Sequence, residues 1–186
     1  MSATGDTTHK IYFAYGSNLS STQMRARCPN AIDVGLGHLR GWTWIINERG
    51  YANIVKDDPA AAANTSAGQH QQHGVYGVLY KLPPGDEEML DMYEGVPTAY
   101  GKEMLDVEAV QGTGNGLKET ATTGLLEGKS SLSALVYIDY HRVKADRPRA
   151  EYVDRMNRGI AEARQDWGLP GSYVGQVMRE FIRETA

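Results

Sequence analysis

The sequence predicts an α+β domain built on an antiparallel or mixed sheet that is able to close into a small barrel. Three observations carry this expectation. Strand-like stretches with apolar residues at every second position recur from Lys10 to Tyr140. From Val153 onward the apolar residues recur at three- and four-residue spacing, so the helices come last rather than alternating with strands. The chain has 186 residues, 41% hydrophobic and 23% charged, which suits one domain and a sizeable core. Residues 1–9 read as a disordered tail and 10–186 as that single domain.

The first element is the stretch Lys10 to Gln23, which reads as a strand, a glycine turn and a helix start. Ile11 and Phe13 alternate with Tyr12 and Ala14, the pattern of a half-buried strand. Gly16 marks the turn, and Ser20 with Gln23 three residues on forms a capping-box pattern for a helix over Ser21 to Arg27. The backbone N–H groups of such a loop, between a strand end and a helix start, are suited to hold an anion. Leu39 to Val55 contains two strands around an Glu48-Arg49-Gly50 turn, and Gly74 to Leu82 is a further strand. Between them, 60–72 is small, polar and of low complexity, as expected of a surface insertion.

A short helix follows over Asp86 to Tyr93, with acids in its first turn, Glu94 in its last, Gly95 as C-cap and Pro97 as stop. Lys102 to Val110 and Leu132 to Tyr140 are strands, joined by a glycine-rich hairpin loop over Gln111 to Ser131. Val153, Met156, Ile160, Ala163 and Trp167 form the apolar face of a helix ended by Gly168 and Pro170. Ser172 is placed to cap a final helix with Val174, Val177, Met178, Phe181 and Ile182 on its buried face.

Charge and composition exclude several function classes. A net charge of −4 and no basic stripe give no electrostatic case for nucleic acid. No apolar run approaches the roughly 20 residues of a membrane span, and the start of the chain lacks the apolar core of a signal peptide. The single cysteine, Cys28, fits a reducing, cytoplasmic setting. His70 and His73 lie three apart in the low-complexity stretch without a Cys or acid partner, so no metal site is expected. Gly112 to Gly116 lacks the strand-loop-helix context of a dinucleotide site. No cofactor is expected, and the partner is a small molecule. Neither helix pattern shows a self-complementary seam, so the oligomeric state is unspecified.

Glu94 is the acid that stands apart. Glu87, Asp91 and Glu94 share one helix face, and such a face is ordinarily solvated. A carboxylate in the last turn nevertheless opposes the helix dipole, which raises its pKa, and burial would raise it further toward the range of a general base.

Tyr12 to Leu19 (YFAYGSNL), followed much later by Tyr93-Glu94-Gly95-Val96, resembles the γ-glutamylcyclotransferases. The order of the remaining segments is similar as well: VYGVLYKL, a short acidic helix, LVYIDY and a helix from Tyr152 that runs to Gly168-Leu169-Pro170. The resemblance implies a small mixed β-barrel with flanking helices and a cofactor-independent enzyme. It implies that Tyr15, Gly16, Ser17, Asn18 and Leu19 line a pocket for a γ-glutamyl group, together with Tyr100, Tyr137 and Tyr152. Glu94 takes the position of the catalytic acid/base. The reaction so implied is attack of the γ-glutamyl α-amine on its own γ-carbonyl, releasing 5-oxoproline and an amine. The substrate stays open among a γ-glutamyl dipeptide, a γ-glutamylamine such as γ-glutamyl-ε-lysine, and glutathione. A glutathione conjugate or γ-glutamyl-tagged intermediate of fungal gliotoxin-type metabolism is a further option. A non-catalytic module that only binds a small ligand, and a structural interaction module, are the readings from other classes.

Overall fold

The computed structural model describes residues 9–58, 74–112, 114, 118 and 131–185. Five strands close into a barrel: β1 (Lys10–Ala14), β2 (Ile32–Leu39), β5 (Val75–Leu82), β6 (Gly101–Val110) and β7 (Ser131–Ile138). Their order around the barrel is β1-β5-β2-β6-β7. All neighbours pair antiparallel except β1 and β7, which close the barrel in parallel with Ile11 opposite Ala134. The remaining strands, β3 (Trp42–Ile46) and β4 (Ala52–Lys56), form a separate two-stranded hairpin outside the barrel. The expected mixed barrel with flanking helices is the observed architecture.

The barrel is narrow because two glycines make room for one aromatic ring. A Cβ on Gly37 would lie 2.8 Å from Val107 and 3.1 Å from the Phe13 ring, and one on Gly77 would lie 2.7 Å from that same ring. Phe13 is fully buried there, worth about 1.5–3 kcal/mol of apolar burial. The other face of β1 is buried too, contrary to the half-buried strand expected. Tyr12 stacks on Tyr80 and meets Tyr137 edge-on, with ring centroids 6.1 and 5.7 Å apart.

Among the described residues, four helices flank the barrel: α1 (Ser21–Arg27), α2 (Pro84–Glu94), α3 (Ala150–Trp167) and α4 (Gly171–Gln176). The Ser20 hydroxyl caps α1 by accepting the Gln23 N–H at 3.0 Å. The reciprocal half of the capping box is not made, because the Ser20 N–H donates to the Ser17 carbonyl and the Gln23 side-chain oxygen accepts from Arg155 instead. α2 ends on Gly95 and α3 on Gly168, both left-handed as a C-cap requires. α3 buries Val153, Met156, Ile160, Ala163 and Trp167, the face its spacing predicts.

The C-terminus differs from expectation. α4 stops at Gln176 and a single 3-10 turn, Met178–Glu180, follows. Pro170 occupies the N-cap and Ser172 caps nothing. A segment this short, with Gly175 inside it, has little intrinsic helicity. Tertiary packing buries Val174, Met178 and Ile182 without needing one continuous helix.

No helix among the described residues is long and apolar enough to cross a membrane. The tail over 1–8, the insertion at 60–72 with its two histidines, and most of the loop at 111–131 lie outside the described residues.

Candidate active site

Glu94 occupies the last turn of α2, and the left-handed Gly95 behind it turns the chain away. Its helix neighbours go elsewhere. Glu87 pairs with Lys10 and Lys102 at 2.8 and 2.5 Å, and Asp91 pairs with Lys102 at 2.9 Å while accepting the Tyr137 hydroxyl at 2.6 Å. The acidic face therefore splits: two carboxylates are neutralised by lysines and the third lines a cavity of about 230 Å³.

The wall of this cavity comes from both ends of the chain. The loop after β1 contributes Tyr15, Gly16, Ser17 and Asn18, and Tyr12 lies beside them. Tyr100, Tyr137 and Tyr152 converge from the start of β6, from β7 and from α3. Of the residues the sequence singled out, only Leu19 is absent from the lining. It is 1% exposed behind the loop, where it packs toward Gly159 of α3.

The loop is a single 3-10 turn, Ser17–Leu19, held from several directions. Asn18 donates its side-chain amide to Tyr12 Oη and Glu94 Oε1, at 3.1 and 3.3 Å, and accepts from Gln23 and Arg27 on its oxygen. The Ser17 N–H donates to Tyr152 Oη at 3.2 Å, and those of Leu19 and Ser20 close onto Gly16 and Ser17 carbonyls. Three N–H groups expected to face an anion are thus occupied within the protein.

Positive charge comes instead from side chains. Arg27 at the end of α1, Arg49 in the β3–β4 turn and Arg155 on α3 all line the cavity. Among the described lining residues Glu94 is the only carboxylate facing these three guanidiniums. None of the three was singled out by sequence reasoning. Arg155 falls one helical turn after Tyr152, and Arg27 ends the helix that the YGSNL loop begins, but nothing in the sequence sets them apart from surface arginines.

Burial raises the Glu94 carboxyl to about 7, against the lowering effect of Arg27, then Arg155, then Arg49. It is thereby poised to gain and lose a proton near neutrality. Burial also raises the Tyr152 hydroxyl to about 12, despite backbone hydrogen bonds from Ala52 and Ser17 that lower it. A phenol that accepts two N–H groups and stays protonated has its own O–H left to donate into the cavity.

Cys28 is buried, bonded through sulfur to the Asp86 carbonyl at 3.4 Å, and raised to about 11, first by burial. It has the character of an inert core thiol. No group of three or more His, Cys, Asp or Glu able to hold a metal occurs among the described residues.

No curated protein matches the chain by sequence. Solved structures do match in fold. A structure described as gamma-glutamyl cyclotransferase is similar at TM-score 0.67 and 20% identity, over 96% of this chain and 92% of that one. An uncharacterized protein from Homo sapiens is similar at TM-score 0.66, again with 20% identity and the same coverage. YkqA from Bacillus subtilis is similar at TM-score 0.63 and 20% identity, over 93% of this chain and 54% of the other. The family model described as gamma-glutamyl cyclotransferase, AIG2-like, matches residues 12–153, which run from Tyr12 of the glycine loop's strand to the first turn of α3. The chain belongs to the gamma-glutamyl cyclotransferase, AIG2-like family.

Proposed function

We propose that the protein cyclises a γ-glutamyl amide to 5-oxoproline and a free amine, with Glu94 as the general acid/base. The observation that carries this reading is Glu94, the single carboxylate among the described lining residues, raised to about 7 by burial and hydrogen-bonded to the loop through Asn18. The nucleophile of this reaction belongs to the substrate, so the protein has to fold the glutamyl chain and move protons. Glu94 takes a proton from the α-ammonium, the freed amine attacks the γ-carbonyl carbon, and a five-membered ring closes. As the carbon–nitrogen bond to the leaving group breaks and the carbonyl re-forms, Glu94 gives its proton to the departing nitrogen. The second proton still on the ring nitrogen then passes through Glu94 to the released amine, which leaves as the ammonium.

The tetrahedral intermediate carries a developing negative charge on the former carbonyl oxygen. The Tyr152 O–H is the donor best suited to it, since the neighbouring N–H groups are already bonded to that hydroxyl. The α-carboxylate is balanced by the guanidiniums on the loop side, Arg27 and Arg155, which are held to Asn18 and Ser17 at 3.1 and 2.9 Å.

The cavity volume of about 230 Å³ falls below the range of roughly 300–1,000 Å³ typical of drug-sized ligands. It suits a γ-glutamyl head with the rest of the substrate directed outward. The test is release of 5-oxoproline from γ-glutamyl-alanine, γ-glutamyl-ε-lysine, glutathione and a glutathione S-conjugate. Equimolar 5-oxoproline and free amine from at least one of them supports the reading. Ligand binding without product from any would oppose it.

A further inference from the structure

Arg49 differs from the other two cavity arginines. Arg27 and Arg155 each hydrogen-bond to the glycine loop through their guanidinium groups. The Nη1 of Arg49 is buried and has no hydrogen-bond partner among the described residues. An unpartnered buried donor on a charged group is costly unless something occupies it. Its position is not accidental slack. The guanidinium lies 5.5 Å from the ring centres of both Tyr51 and Tyr100, and each ring is fixed by its own hydroxyl, to Glu151 at 3.1 Å and to the Ala52 carbonyl at 2.8 Å.

The turn that presents Arg49 is fixed as well. Gly50 has φ +84, and a Cβ there would lie 2.7 Å from the Arg149 side chain, so the turn sits directly on the residue preceding α3. Arg149 donates from Nε to the Arg49 carbonyl at 2.9 Å, and its N–H reaches the Gly50 carbonyl at 3.2 Å. Arg49 is therefore a rigidly held cation in the cavity lining, presented by the β3–β4 turn and not, like Arg27 and Arg155, tied to the glycine loop.

The chemistry of ring closure calls for two such positions. In the five-membered intermediate the α-carboxylate and the leaving group sit on the two ring carbons that flank the nitrogen. A cation that holds the α-carboxylate on one of these carbons cannot also serve the leaving group on the other, so a second cation of the lining is needed there. We propose that Arg49 is a specificity-determining residue that receives the carboxylate of the leaving amino acid, so that γ-glutamyl α-amino acids are taken in preference to γ-glutamyl derivatives of uncharged amines. This rests on the reading of the cavity as a γ-glutamyl site.

The experiment compares γ-glutamyl-alanine with γ-glutamyl-alaninamide, which differ only in that carboxylate. For a charge-assisted hydrogen bond, wild-type kcat/KM should favour the acid by about tenfold or more, and the ratio should fall to within about twofold in Arg49→Met. Arg49→Lys, which keeps the charge but not the fork, should fall between. Equal use of both substrates by the wild type overturns the proposal without any variant. So does a preference that survives in Arg49→Met, as it would if Arg49 held the α-carboxylate common to both. Calorimetric binding of the same pair to Glu94→Gln, with and without Arg49→Met, reads the preference independently of turnover. Discrimination in binding without 5-oxoproline release keeps the role of Arg49 and sinks the reaction. Cyclisation of both substrates at equal efficiency does the reverse, and failure to bind either ligand overturns both.

Discussion

Asn18 donates its side-chain amide to Glu94 Oε1 at 3.3 Å, joining the glycine loop to the last turn of a helix 76 residues further along the chain. The direction of that amide is set by its other partners. Gln23 and Arg27 both donate to its oxygen, so the nitrogen must face Glu94 and Tyr12. Asn18→Asp reverses this contact and brings a second carboxylate against the first. The shared charge should raise Glu94 further and move the rising limb of kcat/KM against pH upward. Activity near pH 7 should fall by about tenfold or more. A pH–rate profile checks this, and a limb that stays in place contradicts the coupling.

The raised Glu94 carboxyl also has a consequence for stability. Its pKa is near 7 when folded and near 4.5 when unfolded, so the folded state binds more protons between those values. Stability from this group is present below about pH 4.5 and is lost as the pH rises through 7. The loss is roughly 1–3 kcal/mol at pH 8. Glu94→Gln, which never ionises, should match the wild type in Tm near pH 4.5 and exceed it at pH 8. Thermal unfolding at the two pH values makes the comparison.

Gly159 sits inside α3, where alanine would ordinarily stabilise a helix by about 1 kcal/mol. Here a Cβ would lie 3.1 Å from Leu19 Cβ and 3.2 Å from the Ser20 nitrogen. Gly159→Ala therefore has to shift the loop by a few tenths of an ångström, and Ser17 and Asn18 move with it. The expected outcome is no gain in Tm and a fall in kcat/KM of about tenfold, since small displacements of positioned groups are costly to catalysis. A stabilised variant of full activity would show that the loop is not seated on α3.

The parts legible in the sequence are those where local chemistry and tertiary structure agree. Ser20, Gly95 and Gly168 end or begin their helices as their residue types require, and the apolar spacing of α3 matches its buried face. β2 was missed because Gly35 and Gly37 weaken its strand pattern and a register shift falls between Asp33 and Gly35. Gly37 serves the ring of Phe13 on another strand, a need that only the closed barrel reveals. The glycine loop and Glu94 stood out through their paired motifs, and the structure places them on one cavity. The guanidiniums were not, because an arginine carries no local mark of which surface its long side chain will reach, and Arg27, Arg49 and Arg155 meet only after the barrel has closed. Ser172 was misread for the related reason that Pro170 already starts the helix.

The most direct measurement is turnover and substrate binding in Glu94→Gln, made on one preparation with the best γ-glutamyl substrate. Glutamine keeps the shape and can still hydrogen-bond to Asn18, but it cannot exchange the proton. Binding within a few-fold of wild type, with kcat reduced by at least about 100-fold, is the predicted result. Turnover close to wild type would show that the proton moves through another group and would contradict the assignment of Glu94.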